Sequence, residues 1–150
     1  MKEKIKGWLA GIAYRCLVFL TFGSISPLLG AGIIVEQDGK VLLIDRADGQ
    51  GYSMPGGIVR ARESVEQCVV RETYEETGYK VQITGLLGVY SGPGRDPRFQ
   101  AVAISYKGIL IDGSLRASGE GQPCWLAPAD VFGHMAFDSE AILKDYLRVQ

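Results

Sequence analysis

Apolar residues open the chain at helical spacing: Ile5, Trp8, Leu9, Ile12, Cys16, Phe19 and Leu20 predict a first helix. The opposite face carries Lys4, Gly11 and Arg15 before it turns apolar at Val18 and Phe22. Between residues 7 and 29 the only charge is Arg15, a length that could span a bilayer. An arginine near the centre of a span costs roughly 2.5–3.5 kcal/mol, which disfavours that reading. Gly7, Gly11, Gly23 and Pro27 weaken a single long helix further. A secretory signal also begins with a basic stretch and an apolar run, but no small-x-small cleavage site stands clear of Pro27. The expectation is an amphipathic helix packed on the domain, on a second subunit or on a membrane surface.

After it the period changes. Residues 30–35 read as a buried strand, 36–40 as a hairpin turn and 41–44 as the returning strand. A Gly-rich loop at 48–51 leads to Tyr52, Met54, Pro55, Gly56 and Gly57. Residues 64–77 predict a helix, with Ser64 as N-cap and Gly78 as its stop. Strand patterns follow at 81–83, 86–90 and 101–107, with 109–111 extending the last. Residues 91–98 hold two prolines and two glycines and read as a loop, as does the polar stretch 115–122. A short strand at 124–126 and helices at 127–132 and 138–147 close the chain. The pattern is α/β, with no repeat and no linker. It divides into an apolar helical segment over 1–29 and one domain over 30–150.

Composition narrows the chemistry. The 150 residues are 47% hydrophobic and 22% charged, which suits a folded domain with a real core. With 16 basic against 17 acidic residues, the net charge of -1 excludes a nucleic-acid coat protein but leaves room for a small anionic ligand. Cys16, Cys68 and Cys124 are scattered and odd in number, which points to a reducing, cytoplasmic setting rather than a disulfide framework. His134 is the single histidine and reads as structural. Catalysis must therefore rest on carboxylates.

The helix at 64–77 supplies them. Glu72, Glu75 and Glu76 stand at i, i+3 and i+4, so three like charges project near one another. A hard divalent cation would relieve their repulsion, and oxygen-only ligation points to Mg²⁺ or Mn²⁺. Alone, such a trio also fits a solvated acidic face. The surroundings decide otherwise: Gly57, then Glu63, then Arg71 next to Glu72, with Gly78 closing the run. This spacing, G-x5-E-x7-R-E-x-x-E-E-x-G, resembles the signature box of the Nudix hydrolases at every charged and glycine position. Thr73 and Tyr79 stand where that family usually has aliphatic residues, and Thr73 should cost a little packing.

The resemblance implies an α/β/α sandwich with a mixed, curved sheet, and metal-assisted hydrolysis of a diphosphate linkage. It implies metal ligands at Glu72, Glu75, Glu76 and the Gly57 carbonyl, with Mg²⁺ as the expected ion. Arg71 would orient the glutamates and Glu63 would brace the turn. The base would be Glu72 or Glu76, or Glu120 on a later loop, where a plain solvated residue is the competing reading.

Four residues are candidates for the substrate. Arg95 and Arg98 sit on a Pro/Gly loop suited to gripping phosphate or carboxylate, or else pair with Asp96 to hold that loop. Tyr52 could stack on a nucleobase or close the core, and Arg46 could reach a phosphate or stand idle at the surface. The 90–98 and 135–138 segments resemble those of ADP-ribose pyrophosphatase-like members, which favours ADP-ribose-like substrates. A nucleoside triphosphate pyrophosphatase and a non-catalytic nucleotide-sugar sensor are the alternatives. A homodimer, or contact with a membrane surface through residues 5–29, would cover the first helix.

Overall fold

The computed structural model describes residues 2–23, 26–92, 94–96 and 99–150, with side chains from residue 8 onward. Helix α1 (Lys2–Leu20) leads into strand β1 (Leu28–Gln37), which turns into β2 (Lys40–Arg46). Two short strands, β3 (Tyr52–Ser53) and β4 (Gly56–Ile58), precede helix α2 (Val65–Thr77). Strands β5 (Tyr79–Tyr90), β6 (Ala101–Gly113) and β7 (Gly121–Leu126) follow, then helices α3 (Pro128–Val131) and α4 (Ser139–Arg148).

The strands form one seven-stranded mixed sheet in the order β3-β2-β1-β6-β5, with β4 paired to β1 and β7 to β2. The central pair, β1 and β6, is parallel from Leu28↔Ala101 to Val35↔Gly108, while the other pairs are antiparallel. Register shifts along β5 and β6, at Lys80/Val81, Ile83/Gly85 and Leu86/Gly88, bend that side of the sheet.

Alternation along β1 and β2 sends side chains to two separate cores. Ile33, Val35 and Leu42 pack with Cys68 and Val69 of α2, together with Val81 and Tyr106. Ile34, Val41 and Leu43 point the other way, onto Val131, Ile142, Leu143 and Tyr146 of α3 and α4. Strands buried on both faces need apolar residues at nearly every position, which is why 33–35 and 41–44 read as unbroken apolar runs. Helix-sheet-helix layering follows directly, as the box predicted.

Helix α2 begins and ends where its sequence says. The Ser64 side chain accepts from Gln67 N (3.2 Å), and Gln67 Oε1 accepts from Ser64 N (2.9 Å), a reciprocal cap. Gly78 ends it in the left-handed conformation, φ 80°, and donates its N–H to Tyr74 O at 2.9 Å. Thr73 is fully buried, yet its hydroxyl donates to Val69 O at 2.7 Å, and Thr77 repeats the bond to Thr73 O at 2.6 Å. The Thr73 hydroxyl, expected to cost packing, is thus satisfied inside the helix itself, as is that of Thr77.

Several strands differ from the sequence reading. Strand β5 runs unbroken through residues 79–90, because the β6 ladder carries it across Gly85. Strands β3 and β4 lie just after the Gly-rich loop, in a stretch to which the sequence assigned no element; their pairing to β2 and β1, rather than their composition, makes them strands. Among the described side chains of helix α1, Gly11, Tyr14 and Val18 are the least exposed, and Tyr14 donates hydrogen bonds to Ser26 Oγ (2.9 Å) and Gln100 O (3.2 Å). No helix among the described residues is long and apolar enough to cross a membrane.

Candidate active site

The inward edge of α2 faces a cavity of about 360 Å³ floored by Gly30, Ala31 and Gly32 of β1 and by residues 53–58. Glu72 and Glu76 line it from the helix, and Glu120 reaches it from the loop between β6 and β7. The same cavity is lined by Arg46, Arg95, Phe99, Phe137 and Asp138. Chemistry-bearing residues separated by as many as 92 positions, from Arg46 to Asp138, thus line one cavity.

Glu76 is the buried member, at 5% exposure, with Oε2 accepting from Gly56 N at 2.9 Å. Burial pushes its carboxyl well above the usual carboxylate range; the Gly56 bond opposes the rise, and the neighbouring Glu120 carboxyl and the Glu72 charge add to it. Two carboxyl groups in that contact cannot both stay ionised unless a proton or a cation sits with them.

Glu72 lies against the backbone of Gly57. A Cβ there would fall 2.5 Å from its Cδ and Oε1 atoms, so only glycine lets the strand and the carboxylate meet. Arg71 holds the Glu72 carboxylate from the other side, Nη1 to Oε1 at 2.6 Å. The same guanidinium grips Glu63 with two bonds, Nε to Oε1 at 2.6 Å and Nη2 to Oε2 at 2.8 Å. Glu63 also accepts from Arg60 N at 3.0 Å, which ties the turn before α2 to the helix. These bonds hold the Glu63 carboxyl at about 2, with the Arg71 side chain as the largest cause.

Glu75 stands apart. Its side chain is 45% exposed and pairs with Arg60 and Arg71 at 3.2 Å each, and it does not line the cavity. The i, i+3, i+4 spacing therefore gathers two of the three glutamates inward, while two arginines turn the third outward. Among the described residues, no three carboxylate, imidazole or thiol side chains close into a ready-made metal cage. The donor chemistry still suits a hard cation: Glu72, Glu76 and Glu120 offer only oxygen, and the Glu76–Glu120 contact carries the repulsion such an ion would cancel.

The other candidates divide similarly. Arg46 lines the cavity, bonded to Asp48 (Nη2 to Oδ2, 2.5 Å) and lying 4.8 Å from the Phe137 ring centre. Arg95 lines it too, pairing through Nε with Asp138 and donating from Nη1 to Ala101 O at 3.4 Å. Arg98 lies outside the described residues. Tyr52 faces away from the cavity: it packs against the second core, and its backbone bonds His134 O (2.9 Å) and Ala136 N (2.7 Å). The aromatic side chains that do line the cavity are Phe99 and Phe137, and Asp138 joins them. Sequence reasoning assigned these three no role, although the segment before α4 carried a resemblance that could have flagged Phe137 and Asp138.

A family model described as the NUDIX domain matches residues 27–147. The chain belongs to the Nudix family. A protein named ADP-ribose pyrophosphatase from Methanocaldococcus jannaschii is 40% identical over 125 residues, spanning 81% of this chain and 74% of that one. A MutT-like protein of Streptomyces ambofaciens is 37% identical over 107 residues, 71% of this chain and 67% of its own length. Among solved structures, a NUDIX hydrolase from Nitrosomonas europaea superposes with a TM-score of 0.74 at 20% identity, covering 83% of this chain and 90% of that one. The chain is accordingly a Nudix pyrophosphohydrolase.

Proposed function

We propose that this Nudix enzyme hydrolyses the diphosphate of ADP-ribose, or of a nucleoside diphosphate sugar much like it, with Mg²⁺. One observation carries the reading: Glu72, Glu76 and Glu120 share a cavity of about 360 Å³ with Arg46, Arg95 and two phenylalanine rings. That volume lies in the range that encloses much of a ligand of nucleotide size. The 40% identity to a protein named for ADP-ribose hydrolysis supports the same substrate.

Glu72, Glu76 and the Gly57 carbonyl would hold the divalent ions. When bound, Mg²⁺ would neutralise the diphosphate charge and lower the pKa of an attacking water. Arg71 keeps Glu72 in place, and Glu63 keeps Arg71 in place. Glu75 would join only by leaving Arg60 and Arg71. Glu120, the most accessible carboxylate of the wall, takes the proton from the attacking water in this scheme. The P–O–P bridge breaks, one phosphate leaves with the bridging oxygen, and AMP and ribose 5-phosphate result. Arg46 and Arg95 would orient the diphosphate, while Phe99 and Phe137 offer apolar faces to the base or sugar.

A panel of nucleoside diphosphate sugars and nucleoside triphosphates, assayed with Mg²⁺ and coupled phosphatase detection, tests this. ADP-ribose should show the highest kcat/KM. A preference for triphosphates would overturn the substrate assignment, and tight nucleotide binding without turnover would overturn catalysis itself.

A further inference from the structure

Helix α1 presents an apolar surface that the domain does not cover. Its docked edge is narrow, along Gly11, Tyr14 and Val18, and the side chains opposite are open: Trp8 is 67% exposed, Leu9 52%, Phe19 82% and Leu20 71%. With Ile12, these residues fall on one continuous arc at helical spacing, away from the docked edge. Phe22, just past the helix, is 98% exposed. A helix spanning roughly 28 Å at 1.5 Å per residue thus offers water a strip of large apolar groups along its length.

Charge says what covers it. Residues 1–29 hold four of the 16 basic residues, Lys2, Lys4, Lys6 and Arg15, but only one of the 17 acidic ones, Glu3. The segment therefore carries +3, and the remaining chain, with 12 basic and 16 acidic residues, carries -4. The three lysines fall within the first six residues of the sequence, and Arg15 borders the exposed apolar arc. Two copies packed arc to arc would bring these like charges together, with Glu3 alone to offset them. An anionic lipid surface answers both the apolar strip and these basic residues.

We propose that α1 is an in-plane anchor that seats this enzyme on a phospholipid bilayer bearing anionic headgroups. The apolar arc enters the boundary between headgroups and acyl chains, and the lysines and arginine meet the phosphates. The acidic remainder of the chain is repelled by the same surface, so the helix is the point of contact. Each basic residue close to an anionic bilayer strengthens binding by roughly fivefold, an advantage that salt removes. The anchor also adjoins the cavity: Tyr14 of α1 meets Phe99 edge-on, ring centres 5.6 Å apart, and Phe99 lines the cavity.

Co-sedimentation of the full chain with vesicles tests the proposal, comparing phosphatidylcholine alone with a mixture containing about one-quarter phosphatidylglycerol. Binding should be at least tenfold stronger to the anionic vesicles and should fall when salt is raised. The double variant Ile12→Glu/Phe19→Glu, altered only at exposed positions, should lose at least tenfold in binding while keeping its melting curve and its turnover of a soluble substrate. Equal binding to both vesicles, or undiminished binding by the double variant, overturns it. So does a concentration-dependent dimer that ignores vesicles and is dissociated by the double variant, which would make a second copy the occupant.

Discussion

Replacing Gly57 with alanine should separate the chemistry of this site from the stability of the fold. The new Cβ would stand 2.5 Å from Cδ and Oε1 of Glu72, and 3.0 Å from Oε2. Ordinary contact begins at 3.4 Å, so the carboxylate must withdraw by about 0.9 Å. It can do so cheaply, because it is the far end of a flexible side chain, and Gly57 does not use the left-handed conformation. Displacing a catalytic group by about 1 Å costs on the order of 100-fold in rate. That is about 2.7 kcal/mol of transition-state stabilisation. Stability should move the other way: alanine at a compatible glycine adds roughly 0.4–1 kcal/mol by restricting the unfolded chain. For a domain of this size that is a rise of about 1–4 °C in Tm. The assay is kcat at saturating Mg²⁺ on the best substrate of the panel, beside a calorimetric melt. Wild-type turnover in Gly57→Ala would refute the claim that Glu72 must lie against this backbone. A lost activity accompanied by a large drop in Tm would refute the claim that the site, rather than the fold, is what changed.

Glu76→Gln should lower turnover by at least about 100-fold, since it removes a transition-state charge contact of several kcal/mol. The metal-free variant should melt no lower than its parent, because the amide oxygen can keep the Gly56 bond and the repulsion from Glu120 is gone; unchanged turnover would remove Glu76 from the site. The pH dependence has a defined sign. Because burial raises Glu76 above its ordinary value of 4.5, the folded metal-free chain keeps a proton there that the unfolded chain gives up, so its stability falls as pH rises above 4.5. If Mg²⁺ binds at Glu76 as proposed it replaces that proton, and the gain in Tm on adding Mg²⁺ should be larger near pH 8.5 than near pH 5.5. Glu63 acts oppositely and elsewhere: held at about 2, it contributes stability above 4.5 that is lost as pH falls toward 2, outside this comparison. An equal Mg²⁺ gain at both pH values would contradict a metal site at Glu76.

Helix α2 was legible almost to the residue, because every signal that defines it is local: Ser64 with Gln67 at one end, Gly78 at the other, and apolar Val65, Cys68 and Val69 between. The box was legible for the same reason. The neighbours of β1 were not. Its parallel partner β6 begins 73 residues later, and nothing in residues 28–37 names that partner. Strands β3 and β4 were invisible because pairing alone makes them strands. Glu75 shows the limit of a wheel argument: spacing places it beside Glu76, yet Arg60 and Arg71 compete for its carboxylate from outside. Tyr52 and the two phenylalanines show another. An aromatic near a motif has a core on one side and a cavity on the other, and only the path of the backbone through His134 and Ala136 turns Tyr52 to the core.

The parallel pairing of β1 with β6 also bears on how the molecule is made. Everything from β2 to β5, the glutamate helix included, lies inside the long loop that this pairing closes. Pairing across such sequence distance is slow compared with hairpin formation, so α2 can be helical well before its cavity exists. The cavity wall then draws on residues from Gly30 to Ile142. During synthesis, a chain still lacking β6 has the glutamate helix but no opposing wall, and metal-dependent hydrolysis should switch on late and all at once, when α4 settles onto the sheet.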